Sequence, residues 1–402
     1  MRGFGGVSLI PRDHWEHHFR DFLLGLAALL GSKQERSLLH ILGIGDCLPV
    51  RSGRAALVAA IRGLDLPVGG RVGVPLFCCP VVFKAVISAG CKPVFLDVDP
   101  ETYCLATGDL AEKRPGLDAL VAVHMFGNVC DVPALQTAAA GKPVIEDCAQ
   151  ALGSKLQGRM VGSLGDVSFF SFRSGKYLSV GEGGALYSRH KEVFASASRF
   201  IDAAAVPSRL AEFAHAGMAY IKSILRSKPL YGLVGYHLWN RLNREMNLSA
   251  KSGVTIGPIY QTDVAVLRRR FSLLQEAIGK QRANADFYSR ALQLKPGMLC
   301  LEKPGAVYNR YLYPVALPSR DHRDQVAGYL FSRGIDTMKY LDNVAEVAAA
   351  HYGYQGDCPT AEALSRRVLI IPSYYSLKLE ELQHIARCVN EAWAELGNRH
   401  GV

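Results

Sequence analysis

Between residues 54 and 172 the chain switches repeatedly between two hydrophobic periods, and nothing else in it narrows the fold as much. Helical spacing at 54–64, 80–89 and 132–139 alternates with short apolar runs at 71–75, 93–97, 119–124, 143–147 and 167–172. Strand and helix in this order predict a mostly parallel α/β sheet with helices over its faces. Such sheets bind ligands at the carboxyl ends of their strands, and two of the runs end there in a polar residue, His124 and Asp147.

At 402 residues, 49% hydrophobic and 20% charged, the chain can bury a full core and is expected to divide. The expected parts are a helical segment 1–44, a large domain 45–260 and a smaller α+β domain 261–402. In the last, a basic helix 267–292 precedes strands at 311–316 and 368–371 with a helix between them, and a final helix spans 379–396. No apolar run reaches the roughly 18 residues that span a bilayer, and the N-terminus has no signal-peptide pattern, so a cytoplasmic location is expected. Ten cysteines without CxxC spacing suit small buried side chains in a reducing compartment. His14, His17 and His18, beside Trp15, Phe19 and Phe22, read as the solvated face of an amphipathic helix, and no metal is expected.

The net charge of +10 admits an anionic partner without choosing one, and no nucleic-acid-binding module is recognisable. The stretch 196–250 sets Val206, Leu210, Phe213, Met218, Ile221 and Leu225 at helical spacing among Arg209, Lys222, Arg226, Lys228, Arg241 and Arg244. Packing within the domain and lying on a membrane surface both give this pattern; packing is the preferred reading.

Three fragments carry chemistry. In RSGRAALVAAI, Ser52 and Gly53 precede a helix, which makes an anion site or a plain N-cap. In VIEDCAQALGS a buried strand ends in Glu146 and Asp147, with Gln150 close behind. A buried carboxylate needs a partner, and a protonated ring nitrogen, an arginine or a helix N-terminus would each serve. In GDVSFFSFRSGKYLSVGEGGALYS, Lys176 sits on a turn between two strands, five residues after Ser171. Beside Tyr177 and Leu178 its amine can lose water and become nucleophilic, although a loop lysine taken alone reads as solvated. Phosphate anchor, ring-nitrogen carboxylate and amine-bearing lysine are together what a pyridoxal phosphate enzyme requires.

Through these fragments the chain resembles the DegT/DnrJ/StrS group of sugar aminotransferases, fold-type I pyridoxal phosphate enzymes. The likeness runs from about Arg51 to the C-terminus and includes SGRAAL, PVFLDVDPETY, VHMFGN, IEDCAQALGS, GDVSFFSFRSGK, GEGGAL, GID and IIPSYYSL. It implies that Lys176 holds the cofactor as a Schiff base and shuttles the proton, and that Asp147 pairs with the pyridine nitrogen. Gln150 would meet the ring hydroxyl, while Ser171 and the Ser52, Gly53, Arg54 turn would hold the phosphate. The related dehydratases carry histidine where this chain has Lys176. The implied reaction moves an amino group from an amino acid, glutamate, to a keto sugar, nucleotide-linked, in polysaccharide or secondary-metabolite biosynthesis, within a homodimer. A carbocyclic ketone, a dehydratase, or a non-catalytic protein binding a membrane surface or polyanion are the alternatives. Three places depart from the group's pattern. FCCPVV puts Cys79 where an aromatic ring often stacks on the cofactor, and Phe77 is the other candidate. KSGVTIGPIYQ lacks the asparagine-arginine motif that reaches the partner's phosphate, and 196–250 matches poorly. Tyr308 and Arg310, at the start of the later domain's first strand, are candidates for facing substrate.

Overall fold

The computed structural model describes residues 9–15, 17–31, 43–238 and 253–400. Its centre is a seven-stranded sheet of β1 (Leu48–Val50), β2 (Arg71–Pro75), β3 (Lys92–Leu96), β4 (Ala119–Val123), β5 (Val144–Asp147), β8 (Val167–Ser171) and β9 (Gly184–Ser188). Between β5 and β8 a short ribbon of β6 (Lys155–Leu156) and β7 (Arg159–Met160) pairs with β10 (Ala306–Val307). The order across the large sheet is β1-β9-β8-β5-β4-β2-β3. Strands β3, β2, β4, β5 and β8 run parallel, and β9 is antiparallel to both β8 and β1. The apolar runs are continuous because β4 and β5 are buried along their whole length, as strands covered on both faces are.

The register decides what meets at the sheet's carboxyl edge. Val50 and Ser171 both lie opposite Gly184, Phe169 opposite Asp147, and Asp147 opposite Val123. Ser52, Ser171, Asp147 and His124 therefore all lie at one edge. Helices α2 (Gly53–Gly63), α3 (Val81–Ser88), α4 (Thr107–Lys113), α5 (Val132–Ala139) and α6 (Lys191–Asp202) follow the strands, within a residue or two of the sequence expectation where one was made.

The C-terminal part is more divided than its sequence suggests. Its sheet is antiparallel, ordered β11 (Tyr313–Ala316), β13 (Val368–Ile371), β12 (Met338–Lys339). The helix expected over 267–292 is two, Gln261–Phe271 and Leu274–Ala291; at the break the Ser272 hydroxyl donates to the Arg269 carbonyl. Three helices, Arg320–Ser332, Val344–Tyr352 and Pro359–Arg367, replace the one expected between β11 and β13. Gly353 stops the second in a left-handed conformation, and Pro359 starts the third at its first turn.

The N-terminal histidines do not form a helix face. The helix α1 (Phe19–Leu30) begins only after them, with His18 at its N-cap. His14 stacks on Tyr374 at 5.3 Å, and His17 is buried. Ile10 bridges to Ile335 and Arg12 pairs with Asp336 at 2.5 Å, tying the start of the described chain to the C-terminal part. The buried Asp21 accepts from Arg270 at 2.7 Å and from Arg269, docking α1 on Gln261–Phe271. Helix α7 (Arg209–Arg226) packs beside α1, as the packing reading expects; its Glu212 accepts from the Thr262 amide at 3.1 Å, and Arg226 pairs with Asp13. Arg241 and Arg244 lie outside the described residues. Nine of the ten cysteines are buried and Cys79 is half-buried.

Candidate active site

Ser52 caps α2 with its hydroxyl, which accepts from the Ala55 amide at 3.2 Å. The amides of the helix's first turn face the sheet edge and leave a site suited to an anion. Two glycines let the parts come this close. A Cβ on Gly184 would lie 2.6 Å from the Gly53 nitrogen, and a Cβ on Gly53 would lie 2.9 Å from Cβ of Ser171 and 3.3 Å from its hydroxyl oxygen. Ser52, Gly53 and Ser171 thus form one cradle. Arg54 flanks it, half-exposed, with its guanidinium 3.9 Å from Glu182.

The two acids ending β5 point to opposite faces, as neighbours on a strand must. Glu146 turns inward and is consumed by structure: it accepts from the amides of Gly162 at 2.8 Å, Leu164 at 2.8 Å and Gly165 at 2.5 Å, and bonds His124 Nε2 at 3.0 Å. His124 Nδ1 accepts from the Cys130 amide, so Nε2 is the protonated nitrogen. Burial alone would raise Glu146, but the bonds from His124, Gly165 and Gly162 hold it below the usual carboxylate range. His124, Glu146 and Cys148 offer ligand atoms within 4.8 Å of one another, yet the bonds of Glu146 to His124 and to the turn amides make that pair a lock for the 162–165 turn. Asp147 faces the other way. Its carboxylate accepts from the Ala149 amide at 2.9 Å, and among the described residues no other donor reaches it. Burial pushes it up to about 6, against the pull of the Ala149 amide and Lys176.

Lys176 lies in the loop 172–183 between β8 and β9, half-buried, with its Nζ 4.6 Å from the centre of the Tyr311 ring. Burial and then the Arg173 charge lower its amine to about 8, while Asp147 and Cys79 pull it back. A fifth to a third of such an amine is neutral at pH 7.5, about what nucleophilic use requires.

Gln150 directs its carbonyl oxygen at the Phe126 amide, 3.2 Å away, and its NH2 at the Tyr340 hydroxyl, 3.3 Å away. Phe77 is wholly buried against Phe126 and Tyr340. Tyr308 and Arg310 precede β11 instead of starting it, and both are buried. Arg310 donates to the Cys300 carbonyl at 2.9 Å and lies 3.7 Å from Glu302, and the Tyr308 ring packs under that guanidinium at 5.3 Å. The residues of this stretch that do reach the lysine loop are Asn309 and Tyr311. Sequence reasoning missed both, and Tyr340 too. The one sequence signal for Asn309 and Tyr311 is the aromatic density of VYNRYLY, which a core strand would also produce.

The arrangement fits pyridoxal phosphate. A glycine-lined helix N-terminus awaits an anion, a buried carboxylate with one amide donor awaits a cationic partner, and a desolvated amine lies on the adjoining loop.

Comparison with known proteins agrees. The chain is 30% identical over 361 residues to the dTDP-4-dehydro-2,3,6-trideoxy-D-glucose 4-aminotransferase of Saccharopolyspora spinosa, covering 88% of this chain and 86% of that protein. Over 154 residues it is 38% identical to the L-glutamine:2-deoxy-scyllo-inosose aminotransferase of Streptoalloteichus tenebrarius, 38% of this chain and 36% of that one. Its fold matches the crystal structure of S. venezuelae DesV in complex with a ketimine intermediate, with a TM-score of 0.75, 24% identity, and coverage of 94% and 95%. The model of the DegT/DnrJ/EryC1/StrS aminotransferase family matches residues 31–390. The chain belongs to that family and is a pyridoxal phosphate-dependent aminotransferase.

Proposed function

We propose that the chain moves an amino group from glutamate to the carbonyl carbon of a nucleotide-linked keto sugar. The observation that carries the reading is the convergence of Lys176, Asp147 and the Ser52–Ser171 cradle on one sheet edge. When bound, the cofactor supplies the electron sink for the substrate's Cα–H bond. Ser52, Gly53, Arg54 and Ser171 hold its phosphate. Asp147 keeps its ring nitrogen protonated, and Gln150 borders the ring. Lys176 would hold the cofactor through its amine and would serve as the base that takes and returns the substrate proton.

Glutamate would give up its amino group and depart as the keto acid, and Lys176 would move the proton that this exchange requires. The same exchange then runs backwards on the sugar ketone. A carbocyclic ketone is the second reading, favoured by the inosose relative. We further infer a cytoplasmic homodimer with its site near the interface, built from a large domain 45–260 and a smaller one 261–402. Helix α7 supports peripheral membrane contact, because it exposes Leu210, Phe213 and Ile221.

The visible spectrum tests the core. The protein with pyridoxal phosphate should show a Schiff-base band that glutamate removes, and Lys176→Ala should show none. A colourless wild type in excess pyridoxal phosphate overturns the reading. Turnover with candidate keto sugars and inososes then separates the two substrate classes.

A further inference from the structure

The loop that carries Lys176 is rich in glycine, with Gly175, Gly181 and Gly183 all at positive φ. Its internal bonds, Lys176 N–H to the Arg173 carbonyl at 3.0 Å and Ser174 N–H to Gly181 at 3.2 Å, close the loop on itself. They do not fix where it stands relative to Asp147. Two longer ties do. The Tyr311 hydroxyl donates to the Gly175 carbonyl at 2.8 Å, and the Tyr177 hydroxyl donates to the Asn309 carbonyl at 2.6 Å. Both fall on the residues that flank the lysine, and both come from the single tripeptide Asn309–Arg310–Tyr311.

That tripeptide is itself held to the segment following Asp147. Asn309 Nδ2 donates to the carbonyls of Gln150 at 3.0 Å and Leu152 at 2.9 Å, and its amide donates to the Ser154 hydroxyl at 2.9 Å. Asn309 Oδ1 accepts from the Tyr311 amide at 2.9 Å, and Arg310 takes φ +59° so that the chain can turn between them. Gly127 cannot be anything larger: a Cβ there would lie 1.8 Å from Asn309 Oδ1.

We propose that Asn309 and Tyr311 are positioning residues that set the distance between the Lys176 amine and the Asp147 carboxylate, the groups serving opposite ends of the cofactor. The inference rests on the assignment of Lys176 and Asp147 above. The hydroxyl of Tyr311 fixes the loop. Its ring, against Nζ, favours the ammonium form of the free lysine.

The test compares Tyr311→Phe, Tyr177→Phe and Tyr311→Leu with wild type and Lys176→Ala, each first checked for a wild-type circular dichroism spectrum. In both Phe variants the Schiff-base band should form with pyridoxal phosphate about tenfold more slowly but reach full amplitude. Their kcat should fall while KM for either substrate stays the same. Tyr311→Leu should in addition move the pH midpoint of band formation downward, which Tyr311→Phe, retaining the ring, should not. Wild-type rates of band formation in both Phe variants would overturn the positioning role of Asn309 and Tyr311. A band that survives in Lys176→Ala would instead overturn the lysine assignment, so the two failures are distinguishable. Should Tyr311→Leu not fold, the Phe pair still decides the hydroxyl's part.

Discussion

Lys176 and Asp147 depart from their ordinary titration in opposite directions for one reason: each loses water at the sheet edge, and loss of water disfavours the charged form. Their mutual attraction only partly offsets it. A lysine at about 8 has roughly a quarter of its amine neutral at pH 7.5, against about one part in a thousand for an unperturbed lysine. Two substitutions separate the causes. Arg173→Gln removes a repelling charge and should raise the Lys176 midpoint by about half a pH unit; Asp147→Asn removes an attracting one and should lower it by a similar amount. The rate at which ligand-free protein forms the Schiff-base band, followed from about pH 6 to about pH 10, reads both. Shifts of the same sign in the two variants would mean that neighbouring charge does not act on this amine. The placing of Lys176 and Asp147 at or just past the ends of short apolar strands was legible in the sequence, while their roles came only from reading the three fragments together and from the family resemblance. Asn309 and Tyr311 were not legible, since their contacts cross more than a hundred residues and their own neighbourhood reads as an ordinary aromatic strand.

At the scale of elements, the segment before α1 and the helix's first turn are fastened along their length, by Ile10 to the C-terminal part, by Asp13 to Arg226, and by Asp21 within α1 to Arg269 and Arg270. His17 sits in the middle, buried, with neither ring nitrogen hydrogen-bonded among the described residues. Burial and the neighbouring Arg270 charge lower it to about 4; Asp21 opposes them, while His215 and His18 add to the lowering. The unfolded chain takes up a proton on this histidine near pH 6.5, the folded chain only near 4. Stability from His17 is therefore complete above about pH 6.5 and declines as pH falls toward 4, by on the order of 3 kcal/mol over that window. Urea denaturation across this range should show His17→Phe losing less stability on acidification than wild type. Parallel curves would refute the assignment. The alternating pattern foretold the sheet because strands buried on both faces must be wholly apolar, a demand few other structures make. It failed where periodicity is indifferent. A helix broken at Ser272 keeps its apolar spacing across the break, and three histidines near a helix look alike whether they precede it or line it.

For the whole molecule, the two sides of α7 obey different rules. The side bearing Glu212, Ala216, Ala219 and Arg226 is buried beside α1 and Gln261–Phe271, which accounts for the packing half of its amphipathic pattern. The other side leaves Leu210 77% exposed and Phe213 and Ile221 each 51% exposed, and α1 adds Phe19 at 54%. Arg20 and Arg209 are exposed around this surface and Lys222 is half-buried beside it. A second copy meeting it across a two-fold axis would set these cations against their own mates, whereas anionic headgroups would neutralise them while the apolar side chains enter the interface. No helix among the described residues is long and apolar enough to cross a membrane. Wild type should float with vesicles containing anionic lipid and stay behind with purely zwitterionic ones, and binding should weaken with salt. Phe213→Glu with Ile221→Glu should abolish flotation and leave the Schiff-base band and turnover intact, because neither side chain belongs to the site. If the double variant instead changes the sedimentation coefficient from dimer to monomer, with flotation absent in wild type, the surface joins two copies and the membrane reading fails.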